Sequence, residues 1–494
     1  MSANADTIGH TAVTGDLDKH PPGLYALFGT EMWERFSFYS MLALFTLYLQ
    51  NPQEGFGWAT NRATRLYALY LALVYFSPLL GGYIADKKLG YRRSVMIGGF
   101  FFMAGHLLLS FRSIPVMYTA LACLVVGNGF FKPNVSAMVG KLYPEGSHLK
   151  DRAYNIFYMG INIGAFLAPV VAEVMRQRFG YHAAFAVAAG GMVLSVFTLW
   201  KFKRHVEGVD RGTGASASAV QGAEPKASLA AVDAPPLKPD ARDAAKTPGG
   251  RFAEQATARA SAMDAVSDAK RIGALIVIFL IVIVFWMAFH QNGATWTYWA
   301  NDNTDWQASR VVPIIFQIFT LGLIENDDVS GVISNAINPF WVLVLTFPLV
   351  AFWGWLDRRG KEPSTPAKMG VGMFLVAAAY MIMYVAARSG GDTGRVSPWW
   401  LIMAYMVITL GELMLSPMGL SLVSKVAPIR LRGLMMGGWF AATAIGNYLV
   451  GTIGVKWTVW SHSKFFIVVA MMSAAVGLIL FAILRPLKKA MPGV

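Results

Sequence analysis

Long apolar runs recur along this chain at the spacing of bilayer-crossing helices. A helix rises about 1.5 Å per residue, so about 20 apolar residues cross a hydrocarbon core of about 30 Å. Twelve such stretches can be read, near 23–50, 62–85, 93–111, 114–140, 153–177, 181–202, 272–300, 331–356, 368–387, 397–424, 432–455 and 463–484. In hydrocarbon every backbone polar group must be bonded within the protein, which leaves helices and closed barrels as the spanning structures. Runs this long exclude barrel strands, so the expectation is an all-α membrane protein. Several runs carry Gly, Pro or a charge, as helices facing a polar cavity do.

Composition agrees. The 494 residues are 55% hydrophobic and 14% charged, against roughly 45–50% and about 25% in soluble domains. A soluble multidomain enzyme is excluded, and a lone cysteine, Cys123, cannot form an intramolecular disulfide. The net charge of +14 would suit nucleic acid on a soluble chain. Here it has a simpler source. Threading the spans with the N-terminus inside puts 17 Lys/Arg in the short inner loops and C-terminal tail and 10 in the outer loops. That bias predicts both termini in the cytoplasm and no nucleic-acid partner. The first twenty residues are polar and lack a basic n-region, so no signal peptide is expected.

Residues 205–270 differ in kind, being polar, Ala/Gly/Pro-rich and unable to build a core. They are read as a flexible cytoplasmic linker, with a short surface helix over 251–270. The expected division is a cytoplasmic segment 1–22, a six-helix bundle 23–204, the linker 205–270, a second six-helix bundle 271–485 and a tail 486–494. The halves echo one another. GGYIADKKLGYRR (81–93) and GWLDRRGK (354–361) each place Gly, an acid and then basic residues at an inner helix end. Repeated halves around a midplane site are a common plan for secondary transporters. The first of these loops resembles the signature between helices 2 and 3 of the major facilitator superfamily; alternatively, it is a positive-inside loop with Asp86 as a helix cap.

An ionisable group inside a span is costly, and so a functional candidate. Those singled out are Glu31, Glu34, Arg35, His106, Lys132, His290 and Glu412. Glu31 and Arg35 are i, i+4 and share a face, with Glu34 beside it. Two acids against one base leave a carboxylate underpaired, and close carboxylates in a low dielectric hold a shared proton. The trio reads either as a proton site or as an ion-pair knot that fixes packing. Lys132, in GNGFFKPN (127–134), precedes Pro133, which loosens the helix. Glu412, in GELMLSPMGLS (411–421), offers it an anionic partner. That pair reads either as a packing salt bridge or as a switch. His106 reads as a packed histidine. His290, in FWMAFHQNGATW (285–296), reads equally as a proton-handling group or a hydrogen-bonded core histidine. Tyr39, Tyr75, Trp286 and Trp439 lie beside these groups. No nucleophile–base pair or metal-ligand cluster stands at helical spacing, so no enzyme, cofactor or metal is expected.

At these motifs the chain resembles the proton-dependent oligopeptide transporter family of the major facilitator superfamily. Glu31, Glu34 and Arg35 match its ExxER motif, followed by Phe38-Tyr39 where two tyrosines are usual. FYMGINIGAFLAP (157–169), Lys132, ISNAINPFW (333–341), RRGKEPSTPAK (358–368), GELMLSPMGLS and MMGGWFAATAIGNYLVG (435–451) extend the match to nearly the whole chain. The resemblance implies the major facilitator fold, with 12 transmembrane helices in two six-helix bundles. It implies inward symport of di- and tripeptides with protons by alternating access, at the plasma membrane. By the same resemblance the peptide carboxylate falls to Arg35 and Lys132, and the amino end to Asn162, Asn338 and Glu412. Tyr39, Tyr75, Ser416 and Trp439 would line the pocket, Glu31, Glu34 and Arg35 would couple protons, and Lys132 and Glu412 would gate. The expected partners are small peptides, protons and lipid, with the monomer as the working unit.

The chain departs from the family in three places. Leu42 stands where many members have arginine, and His290 where they have an acid, so the outer salt bridge those groups form is missing at both ends. His290 is read as a replacement proton-sensitive group. The 205–270 segment is also too polar to supply the two extra helices many bacterial members have. The alternatives left open are a related carrier of an anion or a peptide-like drug, and a receptor or scaffold without transport.

Overall fold

The helices form where the apolar runs lie. A computed structural model describes residues 19–143, 149–209, 263, 265–324 and 329–492. Helix α1 (Pro22–Gln50) opens on a proline at its first position, where the missing N–H costs nothing. Helices α2 (Thr60–Ile84), α3 (Tyr91–Leu108) and α4 (Ile114–Lys141) follow, with a π-helical turn Ala85–Leu89 after α2. The segment Leu149–Lys201 is broken at Gly180, whose φ of 83° lies outside the helical region, into α5 (149–179) and α6 (181–201). That break falls between the spans expected at 153–177 and 181–202.

In the second half α7 (Asp268–Phe289) stops at His290, gives way to a 3-10 turn over His290–Gly293, and resumes as α8 (Thr295–Asp302). The sequence reading expects one helix over 272–300; the break is a correction. A 3-10 turn Gly331–Ala336 leads into α10 (Ile337–Asp357), followed by α11 (Thr365–Gly390), α12 (Trp399–Val426), α13 (Arg432–Gly454), α14 (His462–Ala482) and α15 (Leu484–Ala490). Helix α9 (Val311–Phe319) overlaps an apolar run at 313–324 that is too short to span, and most of its side chains are exposed. Most of the expected linker lies outside the described residues, as does most of the helix read at 251–270, whose last three residues belong to α7.

Seven stretches among the described residues are long and apolar enough to cross a membrane: Thr60–Leu89, Ile114–Lys141, Arg152–Lys201, Asp268–Asp302, Gly331–Asp357, Thr365–Gly390 and His462–Ala482. At 50 residues, Arg152–Lys201 supplies length for two passages. Helix α1, 29 residues long, carries three charged groups among its apolar residues. Phe347, Phe179, Leu478 and Leu280 stand exposed on the flanks, an apolar surface suited to lipid rather than water.

Helices cross closely where glycine removes the side chain. Gly81 of α2 lies against the Gly129 carbonyl of α4, and a Cβ on Gly98 of α3 would come within 2.7 Å of the Gly127 carbonyl. Small residues at such crossings are how helices pack when lipid supplies no hydrophobic drive. Within the first half α1 packs on α5, and α3 and α2 on α4; within the second, α11 packs on α14 and α12, and α7 on α13. The halves meet where α2 lies along α13 and α5 along α10. Each contact joins the second long helix of one half to the fifth of the other, as a repeated pair of bundles requires.

Candidate functional site

Between the halves lies a cavity of about 160 Å³. That is room for several waters, whose share of liquid volume is about 30 Å³ each, or for a small polar ligand. Its first-half wall carries Glu31, Arg35, Tyr39, Tyr75, Lys132 and Asn162; its second-half wall carries His290, Asn338, Glu412 and Trp439. Ten of the twelve site residues expected from sequence are therefore brought to one space. Glu34 is buried but not on this wall, and the Ser416 side chain lies outside the described residues.

Arg35 is held from two sides of its own helix. Its Nε and Nη2 donate to the two oxygens of Glu34 at 2.5 and 2.6 Å, while Nε lies 3.3 Å from Glu31 Oε1. All three groups are buried, so losing a carboxylate would leave the guanidinium charge uncompensated. The fork goes to Glu34, leaving Glu31 Oε2 without a hydrogen bond among the described residues. The underpaired carboxylate of the trio is thus the one that faces the cavity. The Arg35 guanidinium also lies 4.9 Å from the Phe38 ring centroid.

Lys132 reaches the same space from α4. Pro133 removes the N–H that would bond the Gly129 carbonyl, and Gly81 packs at that carbonyl. The Asn134 side-chain Nδ2 donates to the Phe130 carbonyl at 2.7 Å, and the helix continues past the proline to Lys141. The Lys132 Nζ lies 5.1 Å from the centroid of Tyr75, within cation–π range. Across the cavity Asn338 Nδ2 donates to Glu412 Oε2 and to Thr409 Oγ1, each at 2.9 Å. One amide thereby fixes the acid that faces the basic wall.

His290 sits at the break between α7 and α8. Its ring stacks on Trp286 at 4.8 Å between centroids, and Nδ1 donates to Asn447 Oδ1 at 2.5 Å. Tyr75 lies 5.7 Å from it. The histidine is hydrogen-bonded and lines the cavity. His106 stacks on Phe102 away from the cavity, as a packed histidine does. Among the described residues, no cluster of His, Cys, Asp or Glu is arranged to hold a metal.

One end of the cavity is closed by pairings between the halves. The Thr64 and Tyr298 hydroxyls lie 2.9 Å apart, and Thr46 Oγ1 donates to the Gly293 carbonyl at 3.5 Å. Gly454 receives Thr64, and Gly451 lies against Ala68. Neutral wall residues not singled out from sequence are Asn128, Tyr158, Asn292, Asn335 and Thr443. Four of them sit in GNGFFKPN, FYMGINIGAFLAP, FWMAFHQNGATW and ISNAINPFW, so polar residues inside those motifs were the available signal.

The POT family model matches residues 92–468. A di-/tripeptide transporter of Lactococcus lactis subsp. cremoris is 30% identical over 95% of this chain and 96% of its own length. A peptide transporter of Yersinia enterocolitica is 31% identical over 88% of each chain. A crystal structure of a peptide transporter POT variant in complex with alafosfalin superposes with a TM-score of 0.77, at 26% identity and 96% coverage of both chains. With the family model spanning most of its length and relatives matched nearly end to end, the chain belongs to the POT family.

Proposed function

We propose that this protein carries di- and tripeptides into the cytoplasm together with protons, by alternating access of one cavity between two six-helix bundles. The related transporters of Lactococcus and Yersinia, by their names, carry or are assigned to peptides. The observation that carries the reading is the polarity of the cavity, with Arg35 and Lys132 on one wall and Glu412, fixed by Asn338, on the other. A zwitterionic peptide has matching ends a few residues apart, and amide and aromatic walls between them tolerate varied side chains. In this reading Arg35 and Lys132 take the carboxylate, and Glu412, Asn338 and Asn162 the amino end, with Tyr39, Tyr75, Ser416 and Trp439 around the side chains. Glu31, with Glu34 and Arg35 behind it, takes the proton, and His290 responds to it. Lys132 and Glu412 attract across the empty cavity and close its inner mouth; a bound peptide supplies each with another partner and frees that mouth.

The same reading places twelve passages in the plasma membrane with both termini cytoplasmic, works as a monomer and needs no cofactor. The closed end of the cavity, where α1 ends and α2 begins, is then the outer one. Binding to purified protein tests the polarity of the site. A dipeptide competes for it, while its N-acetyl and C-amide derivatives compete at least tenfold more weakly, and Glu412→Gln narrows only the N-acetyl difference. Equal competition by all three compounds would remove the basis of the reading.

A further inference from the structure

Glu173 lies in the outer third of α5, with its side chain completely buried. On its own helix it accepts from Arg176 Nε and Nη2 at 3.0 Å each and from Gln177 Nε2 at 3.3 Å. Its remaining bonds come from the other half of the protein. The Ser330 backbone N–H donates to Oε1 at 2.8 Å, and the Ser330 hydroxyl donates to Oε2 at 2.6 Å. Ser330 is also the cap of the 3-10 turn that opens α10, its Oγ accepting from the Val332 N–H at 3.2 Å. The start of the second-half helix is thus capped in part by a carboxylate of the first half, a favourable place for negative charge.

Other pairings on α5 face the same way. Phe166, seven residues and about two turns before Glu173, lies 5.1 Å from Phe319 of α9 and 6.1 Å from Phe340 of α10. Arg178 Nε donates to the Leu323 carbonyl at 3.1 Å. Elsewhere on this rim the Thr64–Tyr298 and Thr46–Gly293 pairings are neutral, and Leu42 lines the cavity without a charge.

We infer that the Glu173–Ser330 pairing is a charge-assisted hydrogen-bond latch of the outer gate, made when the cavity is closed to the outside and broken each time it opens there. The inference rests on the proposed alternating access and on the closed end being the outer one. Breaking the latch strips the carboxylate of two charge-assisted hydrogen bonds and uncaps Ser330, groups that water must then satisfy. The latch therefore weights the equilibrium toward the outward-closed form, and Arg176 and Gln177 hold the carboxylate in place while it is open.

The test is accessibility, which needs no substrate. In proteoliposomes, Leu42→Cys is placed in a Cys123→Ser background and labelled from outside with a membrane-impermeant maleimide. Glu173→Ala raises the labelling rate at least about tenfold, the worth of one charge-assisted hydrogen bond. Ser330→Ala, which keeps the backbone donor, raises it by less, and serves alone if Glu173→Ala fails to reconstitute. Labelling within twofold of the parent in the variants that reconstitute overturns the latch. Dipeptide binding by the same preparations is measured separately, so failure of the peptide reading is visible apart from failure of the latch.

Discussion

Arg35 shows how far single residues could be read. The spacing of Glu31, Glu34 and Arg35 put three charges on one stretch of α1 and predicted an underpaired carboxylate. It did not say which, because neighbours at i, i+1 do not ordinarily face each other on a helix. Long buried side chains curl back along their own helix, and the fork goes to Glu34. The two acids should therefore fail differently. Glu34→Ala leaves a buried guanidinium short of its main partner and costs about 3–5 kcal/mol, read as a lower unfolding midpoint in detergent. Glu31→Gln keeps the fold, with a midpoint near the parent's, and loses proton-driven uptake. At Lys132 the expectation is also a split result: Lys132→Ala abolishes driven uptake while peptide exchange across the membrane persists. Full driven uptake by that variant contradicts its assigned part. Glu173 is legible in sequence only as an acid within an apolar run. Its partner Ser330 is 157 residues away, and sequence carries no sign of a pairing so distant.

At the level of elements, the spans were legible because bilayer thickness fixes helix length. The interruptions inside them were less so. The turn at Gly180 falls between two apolar runs, whereas the break at His290 lies inside a single expected span. Only Gly293 and the polar HQN triplet hinted at it. That break aims the imidazole into the cavity and against Asn447. His290→Gln is accordingly expected to move the pH profile of uptake, and an unchanged profile rules out the proton-sensitive role. Helix crossings give a second expectation. Gly81→Leu must push α2 away from the Gly129 carbonyl, an overpacking that costs about 1–3 kcal/mol or more. It is read as reduced folded yield and a lower unfolding midpoint. Helix α9 was visible only as an apolar run too short to span; its orientation is set by Phe166 and Phe340, residues on other helices.

Across the whole molecule, composition and the repeated loops led to two related halves. The reciprocal packing of α2 on α13 and α5 on α10 is how such halves meet. Which side chains face each other across the meeting plane was not legible, since those pairs join residues far apart in sequence. The resemblance supplied them one by one, and most share the cavity. The proposed role rests on the charge of that cavity: two cations and an underpaired carboxylate on one wall, and an acid on the other. The central claim is that peptide and proton move together through it. Dipeptide-dependent proton uptake into liposomes holding the purified protein and a pH-sensitive dye tests this most directly. The account predicts internal acidification when a dipeptide is added outside, none with its N-acetyl derivative, and none with Glu31→Gln. Dipeptide entry without acidification, or no dipeptide entry at all, would contradict it.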